Sequence, residues 1–458
     1  MSVVVVGGGI AGLAAARGLE SAAARDVDVV LVESDDVLGG KIRTERVDGF
    51  VIEAAPDSFL SRKERGVGLC EELGLGDELI GRRPENPRSF VRHGRDLHPL
   101  PEGLTGMIPT NLDAVERSAL LSDEGKARFA AEVDVPAAAG DEDESVASFV
   151  TRRFGREAYE RLVEPLMTGI YGGNGDLLSL RATFPQLRVL ELEHGSLLRS
   201  LPAQSVTGDR PPFVSLRGGM DTLVSALVAS LGRTKLQLGS PVRRVVARAG
   251  GYDLELVDGE TIRADGVVVA TPAFVAAALL EELDADLAAA HAEIPYASSV
   301  VVTLAFSAQD VAALEGYGYV IPRAESRDVL ACTWSSQKWE GRAPAGEVLV
   351  RIYAGRFRGR DLALDSDAEL VTLAREELAL LGVDATPVLI RIQRWPLGMP
   401  QYVLGHLERL KRIDGALAEH SGLAVAGAAY RGVGIPDCIQ SGETAAESVV
   451  RALAGAGV

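Results

Sequence analysis

Four consecutive valines, Val3–Val6, form a continuously apolar run, the pattern of a parallel strand covered on both faces. Three glycines interrupt it, and a helical stretch follows from about Ile10 to Ala22. Asp28–Val32 make a second apolar strand that ends at Glu33. The far end of the chain repeats this order. Leu423–Gly427 reads as a buried strand, Ala428–Asp437 as a glycine-rich loop, and Pro436–Ala454 as a helix with proline in its first turn. In between, Tyr252–Val257 reads as a strand leading into an Asp258-Gly259 hairpin turn, and Gly266–Ala270 as a buried strand closed by Thr271-Pro272. This middle module begins at Ser240-Pro241-Val242-Arg243-Arg244-Val245 and is predicted to rejoin the opening strands, so one α/β unit is built from stretches remote in sequence. Val146, Phe149, Val150 and Phe154 recur at helical spacing behind the acidic run Asp141–Glu144, which suits a helix N-terminus. Such a stripe is more commonly core than membrane or cofactor contact.

The interrupting glycines carry chemistry. Gly7, Gly9 and Gly12 give G-x-G-x-x-G between strand and helix. The first permits a tight bend, the second lets the backbone approach a pyrophosphate, and the third lets the helix pack on the strand. The free N–H groups of the helix start favour phosphate. Glu33 lies 21 residues beyond Gly12, where an acid accepts hydrogen bonds from a ribose diol. A plain NAD domain would continue with another helix and strand. Here Gly39-Gly40-Lys41-Ile42-Arg43-Thr44 comes back six residues after Glu33, and Phe50–Asp57 follows. A second glycine loop with basic residues is expected where FAD is wrapped; the alternative is that Lys41 and Arg43 are solvated surface charges. The loop before the C-terminal helix can aim a helix end at the flavin ring, favouring negative charge there; the alternative is a purely structural terminal helix.

Composition narrows the classes. A chain of 458 residues with 47% hydrophobic and 24% charged residues is globular and long enough for two or three domains. A net charge of -18 argues against nucleic acid and against charge-driven lipid binding. Only six of the 47 basic residues are lysines, a bias of GC-rich coding that also suits carboxylate substrates. Cys70, Cys332 and Cys438 lack metal-type spacing and fit a reducing cytoplasm, and six scattered histidines form no ligand set, so no metal is expected. No basic n-region precedes the first apolar run, and no uninterrupted apolar stretch is long enough to span a bilayer. A cytoplasmic protein is expected, with peripheral membrane contact left open.

Several further stretches carry a family likeness. They are Pro56-Asp57-Ser58-Phe59, Glu164–Gly173, Leu178-Ser179-Leu180-Arg181, Thr183-Phe184-Pro185, Leu216–Met220, Arg394-Trp395-Pro396, Met399–Tyr402 with Gly405-His406, and Gly432–Cys438. Together with the glycine motifs, from Val3 to Arg451, the sequence resembles the FAD-dependent porphyrinogen oxidases of haem synthesis. Ser61-Arg62-Lys63, Cys332-Thr333-Trp334 and Lys338-Trp339 resemble the Gram-positive branch, whose substrate is coproporphyrinogen III, with four propionates, rather than protoporphyrinogen IX, with two. Ala55 departs from the family, which commonly has glycine before Pro56.

The resemblance implies a p-hydroxybenzoate-hydroxylase-like α/β FAD-binding domain over residues 1–66, 213–282 and 395–458. It adds a helical cap or substrate region at 67–212 and an α+β substrate domain with an antiparallel sheet at 283–394. It further implies a noncovalent FAD that removes six electrons in three rounds, hydride from a meso carbon and proton from N–H, with O2 as acceptor and peroxide formed. The cofactor carries that chemistry, in keeping with the lack of a triad or carboxylate dyad. Candidate cofactor contacts are Gly7, Gly9, Ile10, Ala11 and Gly12; Glu33 and Ser34; Gly40, Lys41 and Arg43; Ala54, Ala55, Pro56 and Asp57; Val242 and Trp395; and Gly427, Gly434, Ile435 and Pro436. Lys63 is the candidate propionate partner, or else an exposed lysine alone or beside Glu64. Tyr171 and Tyr353 are candidate cleft groups or core residues. Arg351, on one face with Tyr353, contacts substrate or pairs with a surface carboxylate. The porphyrinogen and O2 are the expected partners, with transient contact to the next haem-pathway enzyme. Protoporphyrinogen IX oxidation is the nearest alternative. A flavin amine oxidase or carotenoid desaturase, and a non-enzymatic escort protein of the same fold, are more remote.

Overall fold

The computed structural model describes residues 1–22, 27–105, 107–140, 142–200, 210–311 and 314–455; Asp141 of the acidic run lies outside them. Its nucleus is a five-stranded parallel sheet ordered Lys235–Gln237, Asp28–Val32, Ser2–Val6, Gly266–Val269, Leu423–Val425. Both faces are covered, which is why the valine run shows no alternation. Val3 and Val5 face the helices Ile10–Ala22 and Ile435–Gly455, while Val4 and Val6 face the antiparallel strands Val242–Arg248, Gly251–Leu256 and Thr261–Ala264. Burying each such side chain contributes about 1.5–3 kcal/mol. The two helices cross closely because Gly442 has no side chain; a Cβ there would lie 2.0 Å from the Ala11 carbonyl oxygen.

Observed strand ends differ from the expected ones by a residue or two. The last strand stops at Val425 rather than Gly427, since Gly427 (φ +119°) turns the chain and gives its N–H to Ser441 Oγ at 3.0 Å.

A seven-stranded sheet stands beside the nucleus, ordered Leu389–Pro400, Tyr296–Ser307, Glu347–Ala354, Val329–Trp334, Gly318–Val320, Phe90–His93, Asp96–Pro99. All its pairs are antiparallel except Gly318–Val320 with Phe90–His93. Two expected boundaries cut through this sheet. Residues 90–99, expected in the helical region, supply two of its strands, and the 394/395 boundary falls inside the single strand Leu389–Pro400. Short strands hid in a polar stretch, and a long strand hid behind Pro396.

Helices between Leu112 and Ser200 form the third layer. Val146–Phe154 is a helix, its stripe packed on Phe129, Leu162 and Met167. In its last turn Arg153 is wholly buried and donates from Nε to Glu132 (2.8 Å) and from Nη2 to the Gly195 carbonyl (2.9 Å). Glu132 also accepts from Ser196, Leu197 and Leu198, so this buried ion pair is satisfied on both sides. Among the described residues no helix is long and apolar enough to cross a membrane.

Candidate active site

The first glycine turn is built as its spacing predicts. Gly7 takes φ +108°, and a Cβ on Gly12 would sit 1.9 Å from the Gly7 carbonyl oxygen, so only glycine lets the helix start so close to the strand. Above Gly9 a Cβ would meet nothing within 4 Å. That open space is the approach the backbone of a phosphate cradle needs. The second glycine loop lies directly on the first: Gly39 N–H donates to the Gly8 carbonyl at 2.8 Å. Ile10 and Ala11 open the helix and are buried beneath this cradle.

Glu33 ends the second strand with its carboxylate accepting the Gly8 N–H (2.6 Å), the Ser34 hydroxyl and the Asp35 N–H (both 2.9 Å). Its two oxygens offer about four acceptor sites, which leaves room for a further donor. Val242 stands next to this corner, because Ser240 N–H bonds the Glu33 carbonyl at 2.8 Å. Lys41 is paired with no carboxylate among the described residues, and burial pulls its pKa down. A half-buried cation with no counter-charge, beside an open glycine cradle, fits a diphosphate. Arg43 is different: it bonds the Gly40 carbonyl (2.8 Å) and Asp35 (2.7 Å), so it ties the loop rather than standing free.

At the other end of the cradle, the stretch Ala54–Asp57 is held from the seven-stranded sheet. Trp395 Nε1 donates to the Ala54 carbonyl (3.1 Å) and Arg351 Nη2 to the Ala55 carbonyl (2.7 Å). Asp57 accepts from Lys338 Nζ (3.0 Å), Trp339 Nε1 (3.1 Å) and Ser58 Oγ (2.8 Å). Burial alone would raise its carboxyl pKa, yet Lys338 and Arg351 outweigh that and hold it well below the usual carboxylate range. Pro436 and Ile435 open the C-terminal helix nearby. Pro436 packs so near Phe59 and Gly66 that a Cβ on Gly66 would clash with both. The Cys438 thiol, in the same turn, is buried and pushed up to about 12, which keeps it protonated.

The candidate substrate residues separate in space. Arg351 and Tyr353 share one face of the strand, guanidinium over ring at 5.1 Å, but Arg351 is 1% exposed and committed to Ala55. It is neither a surface ion pair nor an open cleft group, because it lies in a central strand of the seven-stranded sheet with its guanidinium turned to the Ala55 carbonyl and the Asp57 carboxylate. Tyr353 is part-buried, and burial pushes its hydroxyl up to about 12. Tyr171 is buried edge-on against Phe184 (5.9 Å), and burial, then the nearby Asp437 carboxylate, keep it protonated. Lys63 pairs with neither Glu64 nor nothing: its Nζ lies 2.6 Å from both carboxylate oxygens of Asp437, and its side chain is 42% exposed. Asp437 also accepts the Gly434 N–H at 3.2 Å. Lys63 and Asp437 therefore meet at the start of the C-terminal helix, with Tyr171 within electrostatic reach of Asp437.

Asp437, Lys338, Trp339, Arg342 and Glu53 escaped the sequence reading as site residues. The one available signal was Lys338-Trp339, a rare lysine following a buried strand. Among the described residues there is no group of metal-ligand side chains.

Proteins of known family share this architecture. A family model described as flavin containing amine oxidoreductase matches residues 10–450. The coproporphyrinogen III oxidase of Bacillus subtilis is 37% identical over 97% of this chain and 96% of its own length. That of Staphylococcus aureus is 32% identical over 99% of each. A crystal structure from Exiguobacterium sp. 255-15 superposes with a TM-score of 0.87 at 34% identity, covering 98% of both chains. A flavin family with a dinucleotide cradle takes FAD. The chain belongs to the flavin containing amine oxidoreductases, and within them to the coproporphyrinogen III oxidases of the Gram-positive type.

Proposed function

We propose that this protein oxidises coproporphyrinogen III to coproporphyrin III in haem synthesis, passing electrons to O2. The observation that supports it most is kinship with coproporphyrinogen III oxidases along nearly the whole chain. FAD, held noncovalently by the two glycine loops, Glu33, Lys41, Ala54–Asp57 and the turn Gly434–Pro436, supplies hydride acceptance and reaction with O2. The chain's own residues bind and orient. Lys63 is the cation at the cleft mouth that takes a propionate, exchanging Asp437 for a charge-assisted bond to substrate. Tyr171 and Tyr353 stay protonated at neutral pH and serve as donors or packing walls, not as bases. Cytoplasmic location and contact with the next haem-pathway enzyme belong to the same proposal.

In air, each coproporphyrin formed should be matched by three molecules of peroxide, since six electrons leave in pairs. Peroxide counted against porphyrin fluorescence tests this. Porphyrin formed without peroxide would mean another acceptor; no porphyrin from the FAD-loaded protein would remove the function.

A further inference from the structure

Behind Ala54–Asp57, and joined to it through Asp57, lies a group of buried charges that propionate binding does not use. Three cations meet two carboxylates there. Lys338 is 3.0 Å from Asp57, Arg351 is 3.8 Å from Asp57, and Arg342 is 3.7 Å from Glu53. The side chains of Arg351, Arg342 and Glu53 are 1–2% exposed, and that of Asp57 11%. Glu53 is fixed further by Thr44 Oγ1 (2.7 Å) and the Met220 N–H (2.9 Å), and burial pushes its pKa up. Three cations less two carboxylates leaves a surplus of one positive charge or more. Among the described residues Arg351 Nε and Nη1 and Arg342 Nε have no hydrogen-bond partner, so that surplus is not quenched locally. In so enclosed a place water screens it poorly. Through Nη2 of Arg351 it is clamped to the Ala55 carbonyl, next to the Ala54 carbonyl that Trp395 holds.

We propose that the Lys338–Asp57–Arg351 cluster sets the reduction potential of the bound flavin. Hydride transfer brings two electrons and one proton to the cofactor, leaving it one unit more negative. The cluster's surplus favours that state, and Asp57 moderates it. Arg351, Lys338 and Asp57 are positioning and electrostatic residues, not substrate ligands. The inference rests on the reading of Ala54–Asp57 as the flavin-facing loop.

The test is a spectroscopic redox titration of the purified FAD-loaded protein and three variants at one pH. Arg351→Gln and Lys338→Gln should each lower the potential, and Asp57→Asn should raise it. A shift of about tenfold in the two-electron equilibrium, about 29.6 mV, is expected for each. Shifts of opposite sign are what general damage to the fold cannot produce. Unchanged potentials, or three shifts of the same sign, overturn the proposal. So does a rise in KM for coproporphyrinogen III in Arg351→Gln at unchanged potential, which would make Arg351 a substrate ligand. If Arg351→Gln does not retain flavin, Lys338→Gln carries the same sign; if no variant retains it, the cluster is a fold element and the proposal fails. Failure of the wild type itself to bind FAD is a separate result, one that strikes the cofactor reading instead.

Discussion

A lysine's role depends on what neutralises it. Lys63 is 42% exposed and has its charge taken by Asp437, at 2.6 Å from each oxygen. A substrate carboxylate must displace that partner, so the gain is a difference between two charge-assisted bonds. Lys63→Ala should lower kcat/KM for coproporphyrinogen III by about 10- to 100-fold, or about 1.4–2.8 kcal/mol. The loss on protoporphyrinogen IX should be smaller if Lys63 meets a propionate that only the larger acid carries. Equal losses in steady-state kinetics on both would separate Lys63 from specificity. At the opposite end of the cradle, Glu33→Ala removes a carboxylate that already ties Gly8 and Ser34 in place. FAD affinity, read by titration into the apoprotein, should fall about 10- to 150-fold, as for the loss of a charged hydrogen bond of about 1.5–3 kcal/mol. Unchanged affinity would remove Glu33 from the site.

Elements built from local pattern were legible; short strands that join a sheet by long-range pairing alone were not. The Val3–Val6 strand, the glycine turn and the Ile10–Ala22 helix announce themselves because their apolar run, their glycines and their acid are consecutive. The close approach of Gly12 to Gly7 makes a sharp consequence. Gly12→Ala should cost FAD retention and depress the melting temperature together, because a Cβ 1.9 Å from a carbonyl oxygen must push the helix off the strand. Normal FAD content in that variant would contradict the close packing. By contrast, Phe90–His93 joins the large sheet only through pairing with Gly318–Val320, more than two hundred residues away. Asp57 is legible as part of a cofactor motif, but the side chains that hold it are not. Its actual partners, Lys338, Trp339 and Arg351, come from a later strand and the short helix after another, a convergence no spacing rule encodes. Arg351 and Tyr353 were placed on one face by the two-residue period, which is correct geometry. The period could not say whether that face was open or enclosed.

For the molecule as a whole, acid sensitivity follows from two buried histidines that grip the same tyrosine. His406 is fully buried, stacks on Tyr402 at 4.1 Å, and holds the Tyr430 carbonyl through Nε2 at 2.9 Å. His291 packs edge-on against Tyr430. Burial, offset only in part by the Tyr430 bond, pulls the His406 pKa down to about 4. The unfolded chain therefore takes up a proton first, near pH 6.5, and the folded state only near 4. Stability contributed by neutral His406 is complete above about pH 6.5 and falls as the pH drops toward 4, by about 1.4 kcal/mol per unit and about 3 kcal/mol in all. His291, also pulled down by burial, acts in the same direction. Urea unfolding at pH 7 and pH 5 should show wild type losing stability over this interval and His406→Gln losing less. Parallel losses would assign the acid limb to other groups.

The same preparation of FAD-loaded protein should be given coproporphyrinogen III and protoporphyrinogen IX in parallel, with porphyrin fluorescence followed over time. A kcat/KM clearly higher for coproporphyrinogen III is the expected result. A preference for protoporphyrinogen IX, or turnover of neither, would contradict the account.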